Sequence, residues 1–313
     1  MSKELSVVIP VYNSESIFPE LYRRLVKALE PAAASFEIVA VLDGCLDGSY
    51  KVIADLAGKD PRVRVIELSR NFGHQSAITA GLAAASGELV AIIDDDLEDP
   101  PEVLAELLKK IREGYDVVYG IRRRRQRSFL HRLGYSAFYR LFGKLVDIDI
   151  PIDAGDFCVM GRSVVDVLNS MPERNRYLRG LRAWVGFRQT GVEYDREGRY
   201  ASASGYGFRQ YFALAFDAIF SFSYKPVLYV SFAGFLLALT SMLYGIKVIL
   251  SGKSPVAPGW ASLFVAILFL AAVQLISIGI IGQYLARIYD EIKSRPQFVV
   301  KRTVGLGAKD EDK

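Results

Sequence analysis

The chain has 313 residues, enough for one large domain or two ordinary ones with a sizeable core. Hydrophobic residues make up 51%, charged residues 24%, and the mean hydropathy is +0.20, which excludes a disordered chain and is high for a purely soluble one. The net charge of +4 is too mild to argue for a nucleic-acid partner, and two cysteines, Cys45 and Cys158, exclude a disulfide scaffold or a cysteine zinc site and point to a reducing compartment. No basic segment followed by an apolar one opens the chain, so no secretory signal is expected.

Short apolar, β-branched runs predict strands at Leu5–Pro10, Phe36–Leu42, Val63–Leu68, Leu89–Ile93 and Asp116–Tyr119. Helical stretches such as Phe18–Leu29, Ser76–Ala85 and Pro101–Arg112 alternate with them, the last with Asp99 as expected N-cap. This alternation over residues 1–205 predicts an α/β domain with a mostly parallel, Rossmann-like sheet covered on both faces. Ligands of such sheets sit beyond the carboxyl ends of the strands. Three acidic loops fall there: Pro10–Glu15, Asp43–Gly48 and Asp94–Pro101. The six carboxylates within Asp94–Glu102 are hard oxygen ligands suited to Mg²⁺ or Mn²⁺. One such loop alone could be a solvated turn with a helix cap; three on one sheet edge read as a site. No Gly-x-Gly-x-x-Gly or Walker loop occurs, which argues against nicotinamide and P-loop chemistry.

The apolar excess is concentrated late in the chain. Val227–Ile246 and Trp260–Ala286 carry no charge, and each is long enough for a hydrocarbon core that needs about 20 helical residues. With the turn-rich linker Ser251–Pro258 they predict a transmembrane hairpin over 226–286, with spans at about 227–250 and 260–285. Arg287, Lys293, Arg295, Lys301 and Arg302 follow the second span, whereas the linker holds only Lys253, with Lys247 at its edge. Positive-inside bias therefore predicts a multi-pass inner-membrane protein with its α/β domain, both termini and a basic tail at 287–313 in the cytoplasm. The segment 206–225 is aromatic and aliphatic but interrupted by Arg209, Gln210 and Asp217, which predicts an amphipathic stretch in the interface plane. Gly234, Gly245, Gly279 and Gly282 permit close helix contact, and a homo-oligomer is expected.

Five motifs in this order carry a resemblance: Val8–Asn13, the Asp-Gly-x-x-Asp-Gly-Ser loop from Asp43 to Ser49, Asn71–Gly73, the Asp-x-Asp-Leu-x-Asp-Pro-Pro run from Asp94, and Gly155–Phe157. They resemble family 2 glycosyltransferases of the GT-A fold. With Arg179–Phe187, Ser221–Ser223, Gly282–Tyr289 and Lys293–Pro296 the likeness runs from about Leu5 to Arg302 and is to polyprenyl-phosphate glycosyltransferases, the group of dolichyl-phosphate mannose synthase and bacterial undecaprenyl-phosphate sugar transferases. The resemblance implies inverting transfer of one sugar from a nucleotide-sugar donor, UDP-glucose as first guess, to undecaprenyl phosphate. It implies a nucleotide pocket at Pro10, Tyr12, Asn13, Glu15, Asp43, Asp94 and Asp95, and a metal pair Asp94 and Asp96 with Glu98 beside it. It implies phosphate ligands among Arg122, Arg179, Arg182 and Arg199, and Asp156 at the family's catalytic position. Leu42, Cys45, Asp95, Gly161, Ser202 and Gly205 depart from the family's pattern, Gly205 replacing a lysine for which Arg199 or Arg209 would compensate. His74 and His131 read as structural or surface residues, since no second His or Cys lies at ligand spacing. The alternatives are a processive polysaccharide synthase, whose Gln-x-x-Arg-Trp element is missing here, and a membrane scaffold or flippase without turnover.

Overall fold

A computed structural model describes residues 3–123, 154–174, 176–196 and 260–305, together with scattered positions within 227–250. These residues fall into two compact units, one of 3–123, 154–196 and 295–305, the other of the described residues within 227–294.

The first unit is an α/β domain on an eight-stranded sheet in the order β7-β5-β6-β4-β1-β2-β3-β8. Strands β1 (Leu5–Val11) and β2 (Phe36–Leu42) are buried at every position, as expected of parallel strands covered on both faces. β3 (Val63–Leu68) and β4 (Leu89–Ile92) extend the parallel core, and β5 (Val117–Arg122) pairs in parallel with β7 (Gln189–Tyr194). The predicted strands thus stand within a residue or so, except that β5 runs on to Arg122. Two additions were not anticipated. β6 (Ala154–Gly161) inserts antiparallel between β4 and β5, and β8 (Val300–Val304) pairs antiparallel with β3. The sheet is mostly parallel, with β6 and β8 the antiparallel members.

The helices follow from their apolar spacing. In α1 (Phe18–Leu29) Phe18, Leu21, Leu25 and Leu29 form one buried stripe, with proline in the first turn and Lys27 in the last. α2 (Ser49–Lys59) follows the second acidic loop. α3 (His74–Ala84) is built of small residues and lies close on the sheet: a Cβ at Gly81 would stand 2.2 Å from Val8 Cγ1. α4 (Val103–Ile111) buries Leu104, Leu107, Leu108 and Ile111. Asp99 does not cap it. Glu102 is the N-cap, and the buried Asp99 accepts instead from Arg122 and Tyr194, a tertiary pairing that displaces the local signal. α5 (Arg162–Ser170) and α6 (Leu178–Trp184) follow β6.

Between α2 and β3, Asp60 accepts from the backbone and guanidinium of Arg62 and from Tyr22 Oη at 2.7 Å. Burial opposes its charge, but these hydrogen bonds hold the carboxyl down to about 2. A depressed carboxyl stabilises the fold above its unfolded pKa and loses that contribution as pH falls through its folded value. Asp60→Asn should therefore cost about 2 kcal/mol at pH 7, and the gap from the parent should close between about pH 4 and pH 2 in urea titrations.

In the second unit, Trp260–Lys293 forms one 34-residue helix, α7. Its stretch Phe269–Lys293 is long and apolar enough to cross a membrane, and its 25 residues span about 37 Å against a core of about 30 Å. Leu275, Ile278, Ile281 and Leu285 are exposed, as a lipid-facing surface requires. The helix continues eight residues past the expected end at 285. The described positions within 227–250 are helical, so among the described residues one helix, not a pair, meets the length for a span. The linker 251–258 and the segment 206–225 lie outside the described residues. The expected basic tail at 287–313 needs correction: residues to Lys293 complete α7, and Val300–Val304 are the edge strand β8. There Lys301 and Arg302 both pair with Glu67, so these cations stitch the sheet edge.

Candidate active site

Register explains why the site forms. β6 is antiparallel to β4 with Cys158 opposite Ile92. Continuing that ladder by two residues sets Asp156 beside Asp94, at the carboxyl edge of β4. β5 and β7 end at the same edge, where Arg122 pairs with Tyr194. A carboxylate more than sixty positions along the chain is thereby delivered to the first residue of the acidic loop.

The loops after β1 and β2 are laced together by side chains. Asn13, in the left-handed region at φ 54°, accepts from Leu46 N–H at 2.8 Å, and Glu15 accepts from Gly48 N–H at 2.9 Å. Gly44 has φ 64°, and a Cβ there would stand 2.3 Å from Asn71 N, so the second loop can approach the Asn71–Gly73 turn only through glycine. Asp43 is buried and accepts from Phe72 N–H at 2.7 Å and Gly73 N–H at 2.8 Å. Asp95 accepts from Tyr12 N–H at 3.0 Å and from the Ser14 hydroxyl. This accounts for its departure from a small residue: it ties the acidic loop to the loop after β1. A cavity of about 180 Å³ opens between these loops, lined by Pro10, Tyr12, Asp43, Asn71, Gly73, His74 and Asp95 among others. Asn13 and Glu15 are not in its lining; they brace the wall.

Asp94 begins the acidic loop. Its Oδ1 is buried without a hydrogen-bond partner, with His74 Nε2 at ion-pair distance, 3.5 Å. Burial, joined by the charges of Asp156, Asp99 and Asp96 and opposed by His74, pushes its carboxyl up to about 6. Asp96 accepts from Glu98 N–H at 3.0 Å, and Leu97 between them is buried in the left-handed region at φ 57°. A branched side chain in that region is uncommon and marks a backbone held by its surroundings. Glu98 differs from expectation. Its carboxylate is buried and pairs with Arg196. No group of three or more His, Cys, Asp or Glu side chains is arranged to hold a metal among the described residues. Two hard carboxylates, one with an orphaned buried oxygen, nonetheless fit Mg²⁺ or Mn²⁺, which are commonly held by one or two carboxylates plus substrate phosphates.

Asp156 is 4% exposed and surrounded by donors. Arg179 Nε stands 2.9 Å from Oδ1, while Gln75 Nε2 at 3.3 Å and His74 Nε2 at 3.4 Å approach Oδ2. Burial opposes the charge, but Arg179 and His74 outweigh it and hold the carboxyl well below the usual range. Reciprocally, burial disfavours the His74 cation, yet Asp156 and Asp94 push its imidazole up to about 9. His74 lies at the surface as expected, and its Nε2 stands between the two carboxylates. His131 and Arg199 lie outside the described residues.

The chain matches the glycosyl transferase family 2 profile over residues 6–168. It belongs to glycosyl transferase family 2. It is 42% identical to the glycosyltransferase YkcC of Bacillus subtilis over 307 residues, 97% of this chain and 95% of that one. It is 39% identical to the SfII prophage-derived bactoprenol glucosyl transferase of Shigella flexneri over 306 residues, covering 96% and 98%. Among solved structures, the mannosyltransferase PcManGT from Pyrobaculum calidifontis in complex with GDP-Man and Mn²⁺ is similar at 17% identity and a TM-score of 0.48, covering 93% and 88%.

The arginines of this family 2 glycosyltransferase divide sharply. Arg179 reaches Asp156, and Arg122 donates to Asp99 at 2.9 Å and to Tyr194 Oη at 3.2 Å, both keeping partial exposure. Arg182 is 1% exposed, donates to the Gly155 carbonyl and stacks over Tyr119, so it is a structural cation inside the domain and not a surface for phosphate. Cys45 and Cys158 are free thiols that burial pushes up, in keeping with inert packing residues. Besides His74, motif reading passed over Gln75, although both directly follow the Asn71–Gly73 turn that sets them at the carboxyl edge of β3.

Proposed function

We propose that the chain transfers a single sugar, with inversion, from a nucleotide-sugar donor to a polyprenyl phosphate at the cytoplasmic face of the membrane. The observation that carries this reading is the meeting, at one sheet edge, of the Asp94–Asp96 carboxylates with the Arg179–Asp156–His74 cluster beside a cavity of about 180 Å³. The choice of acceptor is supported by a bactoprenol glucosyl transferase 39% identical over nearly the full length of both chains, and by a helix long enough to hold the domain at a membrane. The same relative favours glucose, and UDP-glucose with undecaprenyl phosphate is the proposed pair.

In this reading Pro10, Tyr12, Asp43 and Asp95 line the nucleotide, while Asn13 and Glu15 brace the loops around it. Asp94 and Asp96 would hold Mg²⁺ or Mn²⁺, which when bound stabilises charge on a nucleoside diphosphate leaving group. An acceptor phosphate oxygen forms the bond to the sugar's anomeric carbon as the bond to the diphosphate breaks. Arg179, with Arg122 at the same edge and Arg199 further along the chain, would receive that phosphate, since guanidinium pairs with it bidentately. A phosphate monoester has a second pKa near ~6, so the acceptor is largely dianionic at neutral pH and little proton abstraction is needed. Asp156 then orients Arg179 and His74. The domain 1–205, the interfacial segment 206–225, the two-span hairpin and cytoplasmic termini complete the proposal. At Gly279 and Gly282 an added Cβ would meet nothing, which leaves room for helix contacts in a homo-oligomer.

The test is purified protein in undecaprenyl-phosphate vesicles with UDP-glucose, a UDP-linked amino-arabinose derivative and GDP-mannose in parallel. A lipid-linked monosaccharide from UDP-glucose is expected; a polymeric product, or no lipid product from any donor, overturns the proposal.

A further inference from the structure

Helix α6 begins without a cap of its own. Tyr177 stands at its N-cap but its side chain caps none of the first-turn amides, which need acceptors from elsewhere. The amide of Leu178 finds one in a different element: Gln75 Oε1, on the first turn of α3, accepts from it at 2.9 Å. The other end of the same side chain donates through Nε2 to Asp156 Oδ2 at 3.3 Å. Arg179, the next residue of α6, returns to that carboxylate at 2.9 Å. Gln75, Leu178, Arg179 and Asp156 therefore close a ring that joins α3, α6 and β6. The start of α3 is itself fixed from the nucleotide cavity, because Phe72 and its N-cap Gly73 donate to Asp43.

We propose that Gln75 is a positioning residue for sugar transfer: it caps the helix that carries Arg179 and donates to the carboxylate that Arg179 holds, so that both stand in register with the donor cavity. The inference rests on the reading of Asp156 and Arg179 as the acceptor side of the site. A primary amide suits both contacts, since it has a donor and an acceptor at one end of the side chain. Glutamate at this position keeps the acceptor for Leu178 but turns a carboxylate toward Asp156. Leucine of similar size leaves the Leu178 amide and an Asp156 lone pair without this partner. Misplacement by an ångström at a reacting centre costs on the order of a hundredfold in rate.

The experiment uses the full chain in undecaprenyl-phosphate vesicles with saturating UDP-glucose, alongside calorimetry with UDP. Gln75→Glu should lower kcat at least about tenfold and raise the acceptor KM, with the UDP Kd within about twofold of the parent and little change in melting temperature. Gln75→Leu should show the same split with a lower melting temperature, because the α6 cap is lost as well. Combining Gln75→Glu with Asp156→Asn should cost no more than Asp156→Asn alone, since the clash of carboxylates is gone. A purely structural glutamine would lower the melting temperature and the active fraction without moving the acceptor KM. Parental kcat and acceptor KM in Gln75→Glu, with Asp156→Asn impaired, overturns the inference while sparing the reading of the pair. Parental transfer by Asp156→Asn sinks that reading, and the inference with it.

Discussion

Asp96→Ala is expected to reduce sugar transfer by roughly a thousandfold or more while leaving the domain folded. The stability side is small. Asp96 is a partly exposed loop residue that accepts from the Glu98 N–H at 3.0 Å, a bond worth about 1 kcal/mol net. The functional side is large, because the proposed transfer separates charge onto a nucleoside diphosphate. Asp96, with Asp94 and its buried oxygen that no hydrogen bond satisfies, offers oxygens at this edge suited to a divalent ion. Excess EDTA should therefore stop turnover, and added Mn²⁺ or Mg²⁺ should restore it in the parent but not in the variant. Undiminished turnover in excess EDTA refutes the metal role outright.

How much of this was legible in the sequence depends on the range of the interaction. The strands β1 and β2 are buried on both faces, so their largely apolar runs announce them, and α1 and α4 announce themselves by spacing. β6 does not. Its sequence Ala154–Gly161 carries two glycines and a carboxylate, and it becomes a strand because β4 and β5 flank it on either side. β8 is hidden for a similar reason: its charges read as a basic tail until Glu67 is known to face Lys301 and Arg302. Within the site, the acidic loops and Asp156 stood out as motifs, but their division of labour did not. Asp95 and Asp96 are neighbours, yet one anchors Tyr12 and the other faces the loop's own backbone. Arg179 and Arg182 share a short helix, yet one reaches a carboxylate and the other stacks over Tyr119. His74 was passed over because ligand spacing was sought along the chain, whereas its partners arrive from β4 and β6.

Asp156→Ala should lower kcat/KM by roughly a hundred- to ten-thousandfold, and the pH dependence of what remains separates two explanations. A general base near neutrality needs a carboxyl raised toward the working pH. Asp156 is moved the other way, with Arg179 and His74 holding it ionised against burial. The same contacts make it a good anchor: without the carboxylate, Arg179 loses its bond at 2.9 Å and the cations beside the acceptor repel one another. The acceptor's own second ionisation near ~6, together with Asp94 at about 6, should then set the acid limb of the rate profile, rate rising as pH passes through it. In an Asp156→Asn variant the amide keeps the size and one acceptor oxygen but not the charge, so the rate falls while the limb stays near pH ~6. The decisive measurement is that profile with undecaprenyl phosphate, taken in parent and variant at saturating UDP-glucose. An acid limb that vanishes on Asp156→Asn would assign the titrating group to Asp156 and make it the base after all. A limb that stays in place, under a rate lowered throughout, leaves Asp156 as the anion that sets its arginine.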